Sequence, residues 1–298
     1  MPNDLSRTLA RNGVAIGIGP FIVRLGSRLG AVTDCVRFFY QNQLLPDDTP
    51  FCDFHVRVDR PRGLRRVWRP QVRFFLDRSS PFKPLPLSQA YALFEWGLNW
   101  CIAQHAHHFL LIHAAVLERN GHALVMPGAP GSGKSTLTAA LTLSGWRLLS
   151  DEFALVSMAD GLLTPLPRPV SLKNASIGII RERFPQAELG PETRDTSKGT
   201  VAHLKHSQDS IDRGDERVAP AWIVFPRFTA NADDQLEPLS KAQALLRVAE
   251  ASFNYSILGG RGFDAAADLV DRSACFELTY GDLNGSLELL NTLSASRQ

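Results

Sequence analysis

The chain has 298 residues, of which 44% are hydrophobic and 21% are charged. This composition excludes a disordered or low-complexity protein and allows one large domain or two modest domains with a buried core. No uncharged apolar run reaches membrane-spanning length, and the first residues lack the apolar centre of a signal peptide. We therefore expect a soluble, cytoplasmic protein with no membrane partner.

The charge of the chain is unevenly distributed. The formal net charge is +2, but residues 1–90 contain fourteen Lys and Arg against seven Asp and Glu. The basic residues concentrate in 57–69, which is either a surface for an acidic partner or a solvated hairpin with outward-pointing arginines. Because no nucleic-acid-binding motif accompanies this segment, we favour the hairpin and expect no nucleic-acid partner.

The four cysteines are widely spaced and lie among apolar residues: Cys35, Cys52, Cys101 and Cys275. None of them falls at the spacing of a metal site or a redox pair. We expect buried free thiols in a reducing compartment.

The first part of the chain is predicted to be rich in β-structure. Strand-like runs separated by turns cover residues 13–24, 51–58 and 67–76, and a turn is predicted at Arg60–Gly63. The proline-rich stretch 81–86 then marks a boundary. We predict a small β-rich domain over residues 1–85, suited to binding a substrate or partner, and a larger domain over 86–298.

The larger domain alternates helices and strands, which predicts an α/β fold. Residues 88–108 are apolar on most sides and are predicted as a buried helix. Residues 185–218 are polar and predicted as an irregular excursion, and two helices are expected to close the chain. The predicted strands cover residues 109–116, 122–126, 146–149, 153–158, 170–174 and 221–225.

The octapeptide Gly128–Ser135 matches the phosphate-binding pattern G-x-x-x-x-G-K-[ST]. Its glycines let backbone N–H groups approach a phosphate, Lys134 offers a cation to the terminal phosphates, and Ser135 offers a hydroxyl to Mg²⁺. A buried strand precedes the loop and a helix follows it, which directs the positive end of the helix dipole at the anion. We predict a nucleotide-phosphate site made by Gly128, Ala129, Pro130, Gly131, Ser132, Gly133, Lys134, Ser135 and Thr136.

An acidic pair, Asp151 and Glu152, follows the strand behind the loop's helix. Proteins that transfer phosphoryl groups place their metal-binding and base carboxylates at this position. Adjacent residues of an extended chain point to opposite sides, so the two carboxylates are expected to have different roles. A strand end with ordinary turn chemistry is the alternative interpretation.

Histidines occur at two places near the loop. His113 lies in the apolar run 110–116, where a histidine is usually a satisfied core residue. His105, His107 and His108 have a spacing that resembles a metal site, but no cysteine or carboxylate accompanies them. We interpret this cluster as the polar end of the buried helix.

Taken together, these motifs resemble the bacterial HPr kinase/phosphorylase group, in which a histidine precedes a phosphate loop and an acidic pair follows the loop's helix. The chain is more similar still to the HPr-kinase-related kinase A family. Beyond His113, the loop and 147–152, the segments that carry this resemblance are 95–100, 168–174, 196–203 and 253–263.

The resemblance implies a P-loop core of the phosphoenolpyruvate-carboxykinase and HPr-kinase type, with ATP and Mg²⁺ as ligands. It implies that Asp151 is the catalytic base, that Glu152 is the second acidic residue and that His113 supports it. Arg261 and Lys173 correspond to family positions that clamp phosphate or neutralise developing charge. Lys134 is the third basic residue with an implied catalytic role. The implied metal ligands are Ser135, Asp151 and Glu152.

The chain departs from the HPr kinase pattern at one important position. The metal-binding glutamate after the prolines has no counterpart, and Ser171 falls nearest to it. The protein-substrate signature around this position is also altered, which argues against HPr as the acceptor and against a reverse phosphorylase reaction. The resemblance implies instead a peptide or small protein acceptor, such as a peptide-chaperone protein from the same gene cluster, and a homo-oligomer.

We therefore expect an ATP-dependent kinase that phosphorylates a Ser or Thr hydroxyl. Two alternatives remain open at this point. The protein could be a non-catalytic, ATP-gated binding or assembly factor, although such a factor would not need the full set of His113, Lys134, Asp151 and Glu152. It could also be a kinase for the hydroxyl group of a small molecule.

Overall fold

The computed structural model describes residues 2–61, 63, 68–129 and 131–296. Its helices are α1 (Pro2–Arg11), α2 (Gly30–Tyr40), α3 (Ala90–His105), α4 (Lys134–Leu143), α5 (Ala175–Arg183), α6 (Gln208–Asp212), α7 (Lys241–Glu250), α8 (Tyr255–Leu258), α9 (Gly260–Arg272) and α10 (Leu283–Ala295). Its strands are β1 (Val14–Ile18), β2 (Phe21–Ser27), β3 (Phe54–Asp59), β4 (Gln71–Leu76), β5 (Leu85–Pro86), β6 (Phe109–Ile112), β7 (Ala114–Arg119), β8 (His122–Pro127), β9 (Arg147–Ser150), β10 (Ala154–Ser157), β11 (Leu163–Thr164), β12 (Val170–Lys173), β13 (Thr193–Thr196), β14 (Gly199–Leu204), β15 (Ala219–Phe228), β16 (Gln235–Pro238) and β17 (Ala274–Tyr280).

The fold is mixed α/β with several sheets, which confirms the fold class at this level. Within the described residues, no helix combines the length and apolar character needed to cross a membrane. The four cysteines are free, as predicted, and all but Cys52 are buried.

The chain divides into two compact units. The first comprises residues 1–105 together with 188–205, and the second comprises residues 106–187 together with 206–298. This division differs from the predicted boundary after residue 85, because α3 and the β13–β14 hairpin belong with the N-terminal part. Helix α3 buries ten of its sixteen residues, Glu95 among them, and packs against α2, β3 and β4 of the first unit.

The first unit is built on a five-stranded sheet in the order β1-β2-β3-β4-β5. Strand β3 alternates strictly, with Phe54, Val56 and Val58 buried and Arg57 exposed. The Arg57 guanidinium lies 4.5 Å from the centroid of the Phe75 ring, so this arginine covers an outward-facing aromatic side chain. Exposure of Arg57 fits both interpretations of the basic segment, and Arg62, Arg65 and Arg66 lie outside the described residues.

Several predictions for this part of the chain were wrong in detail. The single strand predicted over 13–24 is the β1–β2 hairpin, because the chain turns at Gly19 with a φ of 54°. Helices α1 and α2 were not predicted, so the unit is less purely β-structured than expected. The third predicted strand begins only at Gln71, and Val67 and Arg62 of the predicted strand and turn lie outside the described residues.

The second unit contains a six-stranded sheet in the order β16-β17-β15-β8-β7-β9. Strand β15 runs parallel to both β8 and β17, whereas β7 is antiparallel to its neighbours β8 and β9. Strands β9, β8, β15 and β17 therefore all run in the same direction, and their carboxyl ends share one edge of the sheet. A core of small and branched apolar residues packs helices α7 and α9 against this sheet.

A second, three-stranded sheet has the order β11-β10-β6. The chain passes from this sheet into the large one at His113, between β6 and β7. It returns at residues 151–153, between β9 and β10. The two crossings lie side by side, because Ile112 pairs with Ala154 on one side of them and Val116 pairs with Ser150 on the other.

The structure corrects three predictions for this part of the chain. The strand predicted over 109–116 is divided between two sheets at His113, which periodicity alone cannot reveal because both halves are fully apolar. The polar excursion 185–218 contains the β13–β14 hairpin and helix α6. The end of the chain was predicted to contain only two helices, but it also contains strands β16 and β17. Strand β17 pairs in parallel with β15, and helices pack against it.

Substitution of Gly97 measures how tightly the core of the first unit is packed around this position. A Cβ at this helical position would overlap the ring of Phe74, whose side chain is fully buried. We predict that Gly97→Ala lowers the free energy of unfolding by about 1–3 kcal/mol, because the core cannot accept the added methyl group. Gly178→Ala is the matched control, since a Cβ in that helix would meet nothing within 4 Å. The control should be neutral or stabilising by up to about 1 kcal/mol in urea denaturation; equal effects of the two substitutions would contradict the packing.

Candidate functional site

Three segments predicted to carry chemistry meet at one edge of the large sheet. Ala114 pairs with Pro127, so His113 and the start of the loop lie at the same level. Val116 pairs with both Val125 and Ser150, which places Asp151 and Glu152 at that level too. The strand directions alone thus bring together residues that are separated by up to 39 positions in the chain.

The loop between β8 and α4 has the backbone that the glycine pattern requires. Gly131 and Gly133 have φ angles of 88° and 85°, which side-chain-bearing residues rarely adopt. A Cβ at Gly133 would also collide with the Tyr280 hydroxyl, and one at Gly128 would lie 2.7 Å from Ser132 Oγ. Gly133 is the N-cap of α4, and its carbonyl accepts the Leu137 N–H at 3.1 Å. Pro130 lies outside the described residues.

Lys134 begins α4 and is buried, with 7% of its surface exposed. Its Nζ has no hydrogen-bond partner among the residues that the structure describes. Burial lowers the pKa of Lys134, and the charges of Asp151 and Glu152 oppose that shift. A buried cation without a hydrogen-bonded partner is costly, so this ammonium group is placed for a ligand that brings negative charge.

Asp151 is also buried, and its two oxygens have different surroundings. Oδ2 accepts the backbone N–H of Ser171 at 2.9 Å, whereas Oδ1 has no hydrogen-bond partner in the described part of the chain. Burial and the neighbouring charge of Glu152 raise the pKa of Asp151 to about 6, against the opposing effects of Lys134, the Ser171 N–H and Lys173. One oxygen is therefore anchored while the other is left to accept a proton or a hydrogen bond.

Glu152 pairs with His113 through Oε2 and Nε2, which lie 3.5 Å apart. Partial burial disfavours its ionised form, but His113 and the charges of Lys134 and Lys173 prevail and lower the pKa of Glu152 to about 2. The two adjacent carboxylates thus differ in pKa and in partner. This difference agrees with the expectation that they have separate roles.

A short segment, residues 251–254, holds the His113 crossing in place. The Ala251 carbonyl accepts the His113 N–H at 2.8 Å, and the Phe253 ring lies 5.7 Å from the His113 ring and 5.1 Å from that of Phe153. Asn254 is 1% exposed. Its side chain accepts the Leu111 N–H at 2.9 Å and donates to the Phe109 carbonyl at 2.8 Å. Residues 253–263 contribute to the family resemblance, but no local pattern in them signals this structural role of Asn254.

A buried ion pair fixes the strand that leads to Asp151. Arg147 Nε donates to Glu118 Oε2 at 2.7 Å, and Arg213 Nη1 lies 3.2 Å from the same oxygen. Burial disfavours the ionised carboxylate, but the Gly121 N–H and the two guanidinium groups prevail and lower the pKa of Glu118. Charge-assisted bonds of this kind hold β9 against β7 and keep the acidic pair in register with His113.

The other predicted residues divide into two groups. Lys173, at the end of β12, is near enough for its charge to affect Lys134 and both carboxylates. Ser135 is half-buried on the first turn of α4, where Thr136 Oγ1 is hydrogen-bonded to Ser176 Oγ at 2.7 Å.

Arg261 lies elsewhere. It is exposed on α9 and lines a surface hollow of about 280 Å³ with Asp264, Asp268, Arg272 and the turn at residues 157–161. The structure does not bring it together with Lys134 and Asp151, so its assignment as a phosphate clamp stays a prediction. Ser171 approaches the acidic pair only through its backbone N–H and supplies no carboxylate.

Three oxygen-bearing side chains of the site could hold a divalent cation. The Asp151 and Glu152 carboxylates and the Ser135 hydroxyl carry oxygen atoms, the ligand type that Mg²⁺ prefers, and Mg²⁺ commonly takes only one or two carboxylates and completes its shell with phosphates and water. In the described ranges, no group of three or more His, Cys, Asp or Glu side chains is arranged to hold a metal by itself.

A scan against models of known protein families finds no match for this chain, and a comparison with curated protein sequences finds no significant similarity.

The role of Asn254 can be tested by its removal. We predict that Asn254→Ala lowers the free energy of unfolding by about 2–4 kcal/mol, because it leaves the Leu111 N–H and the Phe109 carbonyl buried without their side-chain partner. It should also accelerate amide hydrogen exchange at Leu111 and His113. Ser256→Ala, at an exposed position two residues along the chain, is the control and should change neither measurement. If amide exchange at Leu111 were unchanged in Asn254→Ala, the Asn254 side chain would not hold β6 in place.

Proposed function

We propose that this protein is an ATP-dependent kinase that transfers the γ-phosphoryl group to a Ser or Thr hydroxyl of a peptide or small protein. The observation that carries the proposal is that a buried Lys134 ammonium group and a buried Asp151 carboxylate lie close enough at a glycine loop for each charge to affect the other, and that each keeps an atom without a hydrogen-bond partner among the described residues. A cation for phosphate and a base for a hydroxyl are the two groups that such a transfer requires.

The loop accounts for nucleotide binding in this proposal. The backbone N–H groups of Gly131 and Gly133 and the first turn of α4 surround the phosphates, and Lys134 neutralises their charge. The left-handed φ angles of Gly131 and Gly133 favour glycine, and a Cβ at Gly133 would also fill space already taken by Tyr280. These contacts to the nucleotide phosphates position the phosphoryl group that reacts.

Asp151 acts as the base on the acceptor. Its free Oδ1 accepts the proton of the acceptor hydroxyl while the hydroxyl oxygen forms a bond to the γ-phosphorus of ATP. The bond between the γ-phosphorus and the oxygen that bridges to the β-phosphate breaks, and ADP is released. The Ser171 N–H holds Oδ2, which keeps Oδ1 aimed at the acceptor. A pKa of about 6 suits this role, because the carboxylate is mostly ionised at neutral pH and still basic enough to take a proton.

Glu152 and His113 support this arrangement. The ionised Glu152 raises the pKa of Asp151 by its charge, and His113 fixes the Glu152 side chain. Ser135 and one carboxylate would hold Mg²⁺, which when bound neutralises negative charge on the phosphate oxygens. Lys173 adds positive charge on the same side.

The choice of a peptide or small protein as acceptor depends on the resemblance to the HPr-kinase-related kinase A family. The absence of a carboxylate at Ser171 supports a different acceptor from HPr. A small-molecule hydroxyl kinase would use the same loop, base and cation. The peptide kinase and the small-molecule kinase differ in which compound becomes phosphorylated.

The base assignment predicts a specific loss of activity. Asp151→Asn should retain ATP binding but lose phosphoryl transfer by about 10²–10⁴-fold, because an amide cannot accept the hydroxyl proton. Lys134→Ala is the comparison variant and should lose ATP affinity as well. Calorimetric ATP titration together with mass spectrometry of a peptide library incubated with ATP would measure both quantities. Transfer at the wild-type rate by Asp151→Asn would exclude Asp151 as the base, and an ATP-binding wild type without any transfer would favour a non-catalytic factor.

The electrostatic coupling of the acidic pair predicts a pH effect. A base must be ionised, so kcat/KM of the wild type should fall as the pH drops through about 6, the raised pKa of Asp151. Glu152→Gln removes a negative charge that raises this pKa. The fall of kcat/KM at acid pH, which is the acid limb of the pH profile, should therefore occur at lower pH in this variant, even if its maximal kcat/KM is reduced. Glu188→Gln, on an exposed residue of the first unit, should leave the limb in place. An unmoved limb in Glu152→Gln would refute the coupling.

A further inference from the structure

Phe228 is an exposed aromatic residue beside the loop. It ends β15, and 49% of its surface is accessible. Single exposed aromatics are common on protein surfaces, so exposure alone indicates nothing. What distinguishes Phe228 is its position at the shared carboxyl edge of β8, β15 and β17, where α/β sheets bind their ligands.

Direct contacts fix Phe228 to the loop. Its backbone N–H donates to the Ser132 carbonyl at 3.1 Å, and a Cβ at Gly133 would lie 3.1 Å from its Cβ. Behind it lies Tyr280, the partner of Phe228 in the β15–β17 register, which is 2% exposed. The two rings make an edge contact with centroids 5.5 Å apart. The phenylalanine ring is thus supported by a buried residue and adjoins the end of the loop.

The strand order assigns a direction to a bound nucleotide. The loop follows β8, the acidic pair follows β9 on one side of it, and Phe228 and Tyr280 end β15 and β17 on the other side. The phosphate that reacts must lie near Asp151. The opposite end of the nucleotide, its base, is then directed towards β15, where Phe228 is exposed.

We propose that Phe228 is the platform on which the nucleobase stacks, an inference that rests on the proposed nucleotide-dependent function. A flat aromatic ring held in place by Tyr280 offers a π-face to any base, and stacking needs no hydrogen-bond pattern. The structure thus assigns a nucleoside subsite to the ends of β15 and β17, separate from the phosphate contacts of the loop. Tripolyphosphate, which has no base, would bind without using it.

The experiment compares two ligands on purified full-length protein by calorimetry, MgATP and magnesium tripolyphosphate. Phe228→Ser should weaken MgATP binding by about 5- to 100-fold, the range that loss of one stacking contact produces, and should change tripolyphosphate affinity less than about twofold. Phe228→Leu keeps apolar packing on Tyr280 but removes the flat ring, so it should show the same selective loss. Phe228→Trp should retain MgATP affinity.

Phe263→Ser is the matched control, because Phe263 has the same exposed fraction of 49% but lies on α9; it should leave both affinities unchanged. Equal weakening of both ligands by Phe228→Ser and Phe228→Leu would overturn the inference, since the residue would then only support the loop. So would wild-type protein that binds tripolyphosphate as tightly as MgATP, although the phosphate site itself would stand. Wild-type protein that binds neither ligand would overturn the proposed function and this inference together.

Discussion

The candidate site depends on the two adjacent crossings of the chain between its sheets. At one of them, β6 of the small sheet continues into β7 of the large one, and at the other β9 continues into β10. Because the flanking strands are paired on both sides, the residues at the crossings are held face to face even though they belong to no strand. His113 and Glu152 occupy these positions, and Asp151 lies beside them. The same edge receives the end of β8, so the loop and the acidic pair are positioned by a single set of strand registers.

This geometry explains the charges in the site. A carboxylate and an ammonium group are both buried at the edge of the sheet, where each would be unfavourable alone. Lys134 and Lys173 offset the negative charge of both carboxylates, and His113 adds a side-chain bond to Glu152 that keeps its pKa low. For Asp151, burial and the charge of Glu152 outweigh the two lysines, and its pKa rises to about 6. Two adjacent carboxylates thus acquire the separated pKa values that acid–base chemistry uses.

Local features of the site could be predicted from the sequence, whereas its supports could not. The strand, glycine loop and helix around Lys134 follow from turn chemistry and short-range periodicity, and the structure confirms the strand and the helix. The location of Asp151 and Glu152 at a strand end follows in the same way. The division of the strand at His113 leaves no local signal, because both halves are apolar. Asn254, which clamps β6 from more than 140 positions away, and Phe228 beside the loop depend on strand order and register, which local patterns do not encode. The return of 188–205 to the first unit is equally non-local.

The most direct test of the account is a crystal structure of the protein with Mg²⁺ and a non-hydrolysable ATP analogue. The account predicts phosphate oxygens within hydrogen-bond distance of Lys134 Nζ and of the backbone N–H groups of Gly131 and of Gly133 to Ser135. It also predicts a γ-phosphate facing Asp151 Oδ1. Phosphates bound away from Lys134, or a γ-phosphate directed away from Asp151, would contradict it.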